Sequence, residues 1–303
     1  MIQSHYGEVA ALMVAFFWSI TALSFEAASK KVGSLPVNII RLIIGLAFLS
    51  VMNWMSRGLL LPTDASLHNW IWLSVSGLIG FVIGDFLLFK SFTMIGAWLA
   101  MLIMTLAPPM AAVFGWLLLD ERLGIVSLLG IFITLTGIVV VIFRPEGKNR
   151  NVAVSKPITG LLFAFGGALG QALGFVFSKF GMQQYSPFAA TQIRVIAGII
   201  GVIVLITLLG KWVSVRSALM NRKAMIPITI GAFFGPFLGV SFSLLAIQHT
   251  STGIASTIMA LVPIFIIPPS ILLFRRQMAP GCMNVGVTRY SWPDIAPGGL
   301  SLP

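Results

Sequence analysis

The sequence GAWLAMLIMTLAPPMAAVFGWLLL runs from Gly96 to Leu119 and is apolar throughout, with Pro108 and Pro109 in its middle. A second stretch of this kind, TGIASTIMALVPIFIIPPSILLF, covers Thr252–Phe274 and places Pro263 opposite Pro108 at an offset of 155 residues. A proline inside a helix removes a backbone hydrogen bond and costs about 3 kcal/mol. At membrane depth such a break is tolerated only where protein or a wet cavity covers it. The paired proline helices therefore predict a shared interior site between two halves of a membrane protein.

The composition of the chain excludes an ordinary water-soluble domain. Of its 303 residues, 58% are hydrophobic and only 9% are charged, and the mean hydropathy is +1.01, whereas soluble domains are about 25% charged. The net charge of +11 comes from cations in short gaps between apolar runs, which is typical of membrane loops and not of a nucleic-acid-binding surface. The single cysteine, Cys282, excludes an intrachain disulfide, and the scattered histidines predict no metal site and no cofactor.

Nine segments are long and apolar enough to cross a bilayer, which takes about 20 residues. They are Glu8–Ala28, Pro36–Met55, Trp70–Phe89, Ile95–Leu119, Gly124–Phe143, Pro157–Phe180, Pro187–Leu209, Ile226–Gln248 and Thr252–Phe274. Residues 1–144 thus hold five spans, 145–156 form a polar linker, and 157–278 hold four spans. The tail, residues 279–303, is rich in Gly and Pro and does not predict a span. The sequence leaves open whether a frameshift or a genuine loss of the tenth helix explains this tail.

The two halves are related in sequence. VNIIRLIIG (Val37–Gly45) aligns with ATQIRVIAG (Ala190–Gly198) at an offset of 153, which places Arg41 on Arg194. Five spans is an odd number, so the second half must enter the membrane upside down relative to the first. The predicted fold is an all-α polytopic membrane protein built from two inverted five-helix repeats, with the tenth helix missing.

Several motifs resemble those of a known family. They are Trp18 in the first span, the helices of Arg41 and Arg194, the paired proline helices, and LLLDERL at Leu117–Leu123. On these residues the chain resembles the drug/metabolite transporter superfamily, specifically the ten-helix EamA-type permeases. The resemblance implies a secondary transporter that exports small metabolites such as amino acids by alternating access between the repeats. Two departures are the missing tenth helix and Arg275-Arg276-Gln277, which stands where the first half has Asp120-Glu121-Arg122.

Ionisable side chains inside spans are expensive and are candidates for function. Arg41 is a candidate substrate-binding residue, and by helix direction Glu26 and Asp85 should approach the same membrane face. Either carboxylate is a candidate for proton coupling. The alternative is structural, with Glu26 paired to Lys30 four residues on and Arg41 acting as a buried tie between helices.

Arg194 should lie nearer the opposite face, where Glu8 and Asp120-Glu121 are candidates to neutralise it. Without them, Arg194 would attract an anionic or carboxylate-bearing solute. The other candidate solute contacts are helix-facing side chains, and each has the alternative of a hydrogen bond between helices. They are Trp18, Ser19, Gln171, Gln192 and Ser241. Pro108 and Pro263 are predicted to break their helices beside the solute path.

Two other functions remain open at this point, a membrane-embedded enzyme and a non-transporting remnant or assembly subunit. Ile83-Gly84-Asp85 lacks the first glycine of the Gly-x-Gly-Asp motif of intramembrane proteases, and no phosphate-cradling loop is present. The chain is therefore predicted not to be an enzyme. Its partners are a small solute, the lipid bilayer and a coupled proton, with no nucleic acid. We expect a multi-pass protein of the bacterial inner (plasma) membrane, with the basic loops on the cytoplasmic side.

Overall fold

The structure is a computed structural model that describes residues 5–121 and 157–266, together with the single helical positions 129, 132 and 136. Seven helical spans in this part are long and apolar enough to cross a membrane, and a shorter apolar stretch, Thr252–Ile266, follows them. Numbered as in the prediction, the first to fourth and sixth to eighth are Tyr6–Val32, Ser34–Arg57, Leu67–Ile95, Ala97–Leu119, Ile158–Met182, Pro187–Leu208 and Arg222–His249. The predicted all-α polytopic membrane fold is confirmed. The predicted fifth span apart from those three positions, the linker and the tail lie outside the described residues.

The third and eighth spans each contain a π-helix between two α-helical pieces. The bounds of the pieces are Leu67–Gly77, Leu78–Gly84 and Asp85–Ile95 in the third span, and Arg222–Ala232, Phe233–Gly239 and Val240–His249 in the eighth. The two π-helices are 155 positions apart, which is also the offset between the two proline helices. A π-helix pairs residues five apart, and π-helical turns inside α-helices are frequent at functional sites.

The fourth and ninth spans are interrupted in their middles. The fourth consists of Ala97–Met104 and Ala107–Leu119, and the ninth consists of Thr252–Met259 and a helical turn over residues 262–266. Pro108 and Pro263 lie in the first turn of each second piece, where the missing N–H of proline costs little. Pro108 is buried and Pro263 is half-buried, so both helix breaks face protein to a large extent.

Two glycines connect neighbouring spans without a loop. Gly33 (φ 87°) joins the first span to the second, and Gly96 (φ 81°) joins the third to the fourth. Residues with a side chain rarely adopt such φ angles, so glycine suits these sharp reversals. A surface helix, Trp212–Met220, connects the seventh and eighth spans. These connections lie on one membrane face, which also carries Lys31 with its Nζ donating to the carbonyl of Lys223 (3.2 Å). We call it the basic face.

Contacts between spans define an inverted arrangement. The third span packs against the sixth, and the first packs against the eighth in the equivalent way. The sixth span runs opposite to the first, because Lys179 near its end and Gly7 near the start of the first span both contact Thr250. These contacts fit two halves related by a twofold axis in the membrane plane, as the odd span count predicts. We call the face around Thr250 the opposite face.

Candidate functional site

A cavity of about 70 Å³ lies between the two halves. Its walls come from the first to fourth spans of one half and the sixth to eighth spans of the other. Apolar and aromatic side chains form most of the lining. The charged side chains among the described lining residues are Arg41, Asp85 and Arg194. A cavity between helices with a few polar groups is a usual form of a small-molecule site.

Arg41 is held by a buried network on the basic-face side of the cavity. Its guanidinium pairs with the carboxylate of Asp85, and its Nε and Nη2 both donate to Asn38 Oδ1 (3.0 and 2.7 Å). The amide of Asn38 in turn donates to the carbonyl of Phe81 in the first π-helix (2.8 Å). Buried charges need both a counter-charge and further hydrogen bonds, and Arg41 has both.

Arg194 is buried in the same cavity without comparable partners. It is 2% exposed, and its Nε and Nη1 find no hydrogen-bond partner among the described residues. Its guanidinium carbon lies 5.0 Å from the centre of the Phe81 ring, and Arg41 lies 5.5 Å from that ring. Phe81 therefore contacts both arginines, and the charge of Asp85 also acts on Arg194.

The repeat explains this difference between the two arginines. Arg41 and Arg194 are equivalent at an offset of 153, but the π-helix offset of 155 makes Val240 the equivalent of Asp85. Val240 also lines the cavity. The second half thus repeats the arginine and replaces its carboxylate with an apolar side chain.

Aromatic side chains complete the walls of the cavity. Trp18 stacks on Phe175 with ring centres 6.1 Å apart and planes 9° apart. Toward the basic face, Phe89 packs against Phe25 (5.0 Å) and Phe92 (5.7 Å). An apolar wall of this kind lowers the local dielectric and strengthens the interactions of the nearby charges.

The predicted site residues divide into two groups in space. Trp18, Arg41, Asp85, Gln171 and Arg194 line the cavity. The remaining predicted residues are not part of the described lining.

Ser19 donates to the carbonyl of Phe16 (2.7 Å). Gln192 accepts from Asn53 (2.9 Å) and its amide donates to Ser50 and to the carbonyl of Leu60. Ser19 and Gln192 thus correspond to the structural alternative.

Four further predicted residues lie elsewhere. Ser241 is buried and its hydroxyl has no hydrogen-bond partner among the described residues. Glu26 pairs with Lys30 (2.6 Å) and does not join Arg41 and Asp85. Pro108 and Pro263 stand behind the lining, with Met104 next to the fourth-span break reaching the cavity.

A second polar cluster closes the opposite face. Glu121 pairs with Lys179 (2.8 Å) and accepts a hydrogen bond from the hydroxyl of Thr252 (2.9 Å). The Nζ of Lys179 also donates to the carbonyl of Thr250 (2.9 Å). Glu121 is therefore engaged at the ends of the fourth, sixth and ninth spans. The expectation that it neutralises Arg194 does not agree with these contacts.

A third cluster joins the halves at the loop before the third span. Asp64 pairs with Arg57 and accepts a hydrogen bond from the hydroxyl of Tyr185 (2.8 Å). Burial alone would raise the pKa of Asp64, but the hydrogen bond from Tyr185 and the charge of Arg57 outweigh it, and the pKa lies below its usual value. Burial raises the pKa of Tyr185 above its ordinary value. Both groups thus keep their charge states near neutral pH.

Sequence reasoning missed Phe81 and Phe89 as site residues. Phe81 and Phe89 lie four residues before and after Asp85, a spacing that places side chains on one helix face. Their spacing from Asp85 could therefore have indicated that both side chains lie near this carboxylate. The π-helices had no comparable signal, because their glycines also fit ordinary helix packing.

The fold and the site define a class of protein, a polytopic helical membrane protein whose inverted halves enclose a cavity with charged side chains in its lining. The sequence profile of the EamA-like transporter family matches residues 5–143 and 158–283. The chain therefore belongs to the EamA-like transporter family, and the predicted resemblance to the drug/metabolite transporters is confirmed.

Two similar proteins support the family and the fold. An uncharacterized transporter of Clostridium kluyveri is 25% identical over 165 residues, or 54% of this chain, and the match spans about half (52%) of the length of that relative. A solved structure described as "Crystal structure of protein" has a TM-score of 0.62 and 14% identity, with 90% of both chains covered. The second likeness concerns the fold alone.

Proposed function

We propose that the protein is a secondary transporter that exports small metabolites, such as amino acids, across the bacterial inner (plasma) membrane. The observation that carries this proposal is the charged cavity between two inverted halves. Family membership and the bacterial relative, an uncharacterized transporter, support transport across a membrane. The chemistry needs no enzyme activity, because the site binds a solute and the helices move around it.

Alternating access would proceed by rocking of one half against the other. The Glu121–Lys179 pair joins the fourth and sixth spans at the opposite face, so it must separate when that face opens. The breaks before Pro108 and Pro263 are positions where the fourth and ninth spans can bend. Motion of repeats around a central site is the general mechanism of transporters built from inverted repeats.

A reversible crosslink at the opposite face tests this mechanism. In a Cys282→Ser background, Glu121→Cys with Lys179→Cys would be bridged by a bifunctional methanethiosulfonate in proteoliposomes loaded with labelled amino acids. We expect carrier-dependent efflux to fall at least tenfold on crosslinking and to return after reduction, because the face can no longer open. Each single-cysteine variant, treated identically, is the matched control. Undiminished efflux from the bridged protein would contradict alternating access at this face.

We further propose that Asp85 couples transport to a proton. Asp85 is the carboxylate among the described lining residues, whereas Glu26, the other candidate, forms its pair with Lys30. A carboxylate that exchanges its proton would release Arg41 and change the charge of the cavity. Carboxylates inside spans have this role in many proton-coupled carriers.

Asp85→Asn is expected to lose the stimulation of efflux by an imposed pH gradient, because its side chain carries the same charge on both sides of the membrane. Solute exchange without a gradient should persist and shows that the variant is folded. Glu26→Gln is the control and should keep the stimulation. A wild-type protein that ignores the gradient, or an Asp85→Asn variant that still responds, would refute the coupling.

A further inference from the structure

We propose that the cavity recognises solutes through a carboxylate that binds Arg194, while the apolar body of the solute packs on the aromatic wall. This inference rests on the proposed function and names the substrate class of the same site. Its starting point is the charge of the described lining, in which the two guanidiniums of Arg41 and Arg194 face the single carboxylate of Asp85.

One uncompensated positive charge inside a membrane protein is costly. Insertion scales assign about 2.5–3.5 kcal/mol to an arginine at the centre of a span. The ring of Phe81 provides a cation–π contact with Arg194, which contributes about 0.5–2 kcal/mol. Asp85 provides long-range attraction, but its direct bond goes to Arg41. A monoanionic solute would bring the charge of the described lining to zero.

The geometry of Arg194 suits a carboxylate. Guanidinium offers five N–H donors in a planar fork that matches two carboxylate oxygens, and Nε and Nη1 are both without a partner in the described residues. Gly80 leaves room for this group, since a Cβ at that position would lie only 3.2 Å from Nη2. The donors are thus present, buried and unused.

The rest of the cavity selects an apolar body. The stacked rings of Trp18 and Phe175 and the methionines Met101 and Met104 form part of the remaining lining. The amide of Gln171, which lines the same cavity, makes no hydrogen bond among the described residues and can bind a second polar group of the solute. A carboxylic acid with an apolar body meets these requirements in full. An α-amino acid with an apolar side chain offers the same carboxylate, but it is a zwitterion and leaves the net charge of the lining unchanged.

Comparison of the two repeats shows that, among the described residues, Arg194 lacks the carboxylate partner that Arg41 has. Position 240 in the second half is equivalent to position 85 in the first half, but it carries valine where the first half has Asp85. Val240→Asp would therefore supply the missing carboxylate from the protein itself. If a solute carboxylate occupies this position in transport, the variant should exclude it.

The test is direct binding to the purified full chain in lipid nanodiscs. The probe is labelled phenylacetate, with unlabelled phenylacetamide (neutral) and benzylamine (cationic) as competitors of nearly the same size. We expect phenylacetate to bind, and both competitors to be at least tenfold weaker than unlabelled phenylacetate. Arg194→Gln and Val240→Asp should each weaken phenylacetate binding at least tenfold, and Val240→Asn should weaken it less than Val240→Asp.

Arg57→Gln is the matched control, because it removes one arginine charge outside the cavity and should bind phenylacetate as the wild type does. Phenylacetamide or benzylamine competing as well as phenylacetate would overturn the inference, as would unchanged binding to Arg194→Gln. Absence of phenylacetate binding to the wild type would overturn it too. Binding with the expected preference but without flux in proteoliposomes would leave the inference standing and reject the proposed transport function.

Discussion

Arg41→Gln is expected to lower the free energy of unfolding by about 3–5 kcal/mol, because Asp85 then keeps a buried charge without its cation. The substitution also removes both hydrogen bonds to Asn38, whose amide donates to the carbonyl of Phe81 in the middle of the first π-helix. In a protein of this size the loss corresponds to a fall of roughly 10 °C in the unfolding midpoint, at 2–4 °C per kcal/mol. Thermal unfolding of the purified protein in detergent measures it.

Two further variants separate the ion pair from simple loss of packing. Arg41→Gln combined with Asp85→Asn removes both charges and should recover at least half of the lost stability. Arg194→Gln makes the same substitution at the repeat-equivalent position, where the guanidinium has no direct carboxylate in the described residues. It should leave the midpoint unchanged or raise it. Equal losses for Arg41→Gln and Arg194→Gln would show that Arg194 has a stabilising partner after all.

Much of the fold followed from length, composition and counting. Span positions depend on runs of about 20 apolar residues, and inversion depends on an odd number of spans. The breaks at Pro108 and Pro263 follow from the chemistry of one residue type. Each of these features depends on a short stretch of sequence or on a count of such stretches, so it can be read from one sequence without knowledge of the packing.

The partners of the charged residues were harder to predict. Helix direction gives the depth of a side chain in the membrane, but not the side of the helix that meets each neighbour. Glu26 and Asp85 were both expected near Arg41, and only Asp85 pairs with it. Glu121 was expected to neutralise the charge of Arg194, but it forms an ion pair with Lys179 and accepts a hydrogen bond from Thr252 instead. Which groups meet at one depth is set by packing between spans.

Comparison of the two halves gives information that neither half contains alone. The arginine is repeated, whereas Asp85 corresponds to Val240, and this departure from symmetry lies in the cavity. Strict symmetry would have produced two closed ion pairs and no free donor. The asymmetry of the repeat thus leaves an ion pair in one half and, among the described residues, a guanidinium with unpartnered nitrogens in the other.

Helix approach across the halves depends on the glycines of the third and sixth spans. A Cβ at Gly170 would lie 2.7 Å from the Cα of Gly84, which is backbone and cannot rotate away. At Gly174, one turn further on the same helix, the nearest atom would lie 3.5 Å away, at an ordinary contact distance. The two positions differ in clearance while sharing the same interface.

Gly170→Ala is therefore expected to push the sixth span from the third and to lower the free energy of unfolding by about 1–3 kcal/mol, the usual cost of overpacking. Gly174→Ala is the matched control and should be neutral or stabilising, since alanine gains about 1 kcal/mol over glycine in a helix. Thermal unfolding compares the two. Because Gly84 precedes Asp85, Gly170→Ala should also displace the Arg41–Asp85 pair and reduce transport by a larger factor than Gly174→Ala does. Equal behaviour of the two alanine variants would mean that the spans are free to separate at little cost, and that the close crossing does not position the site.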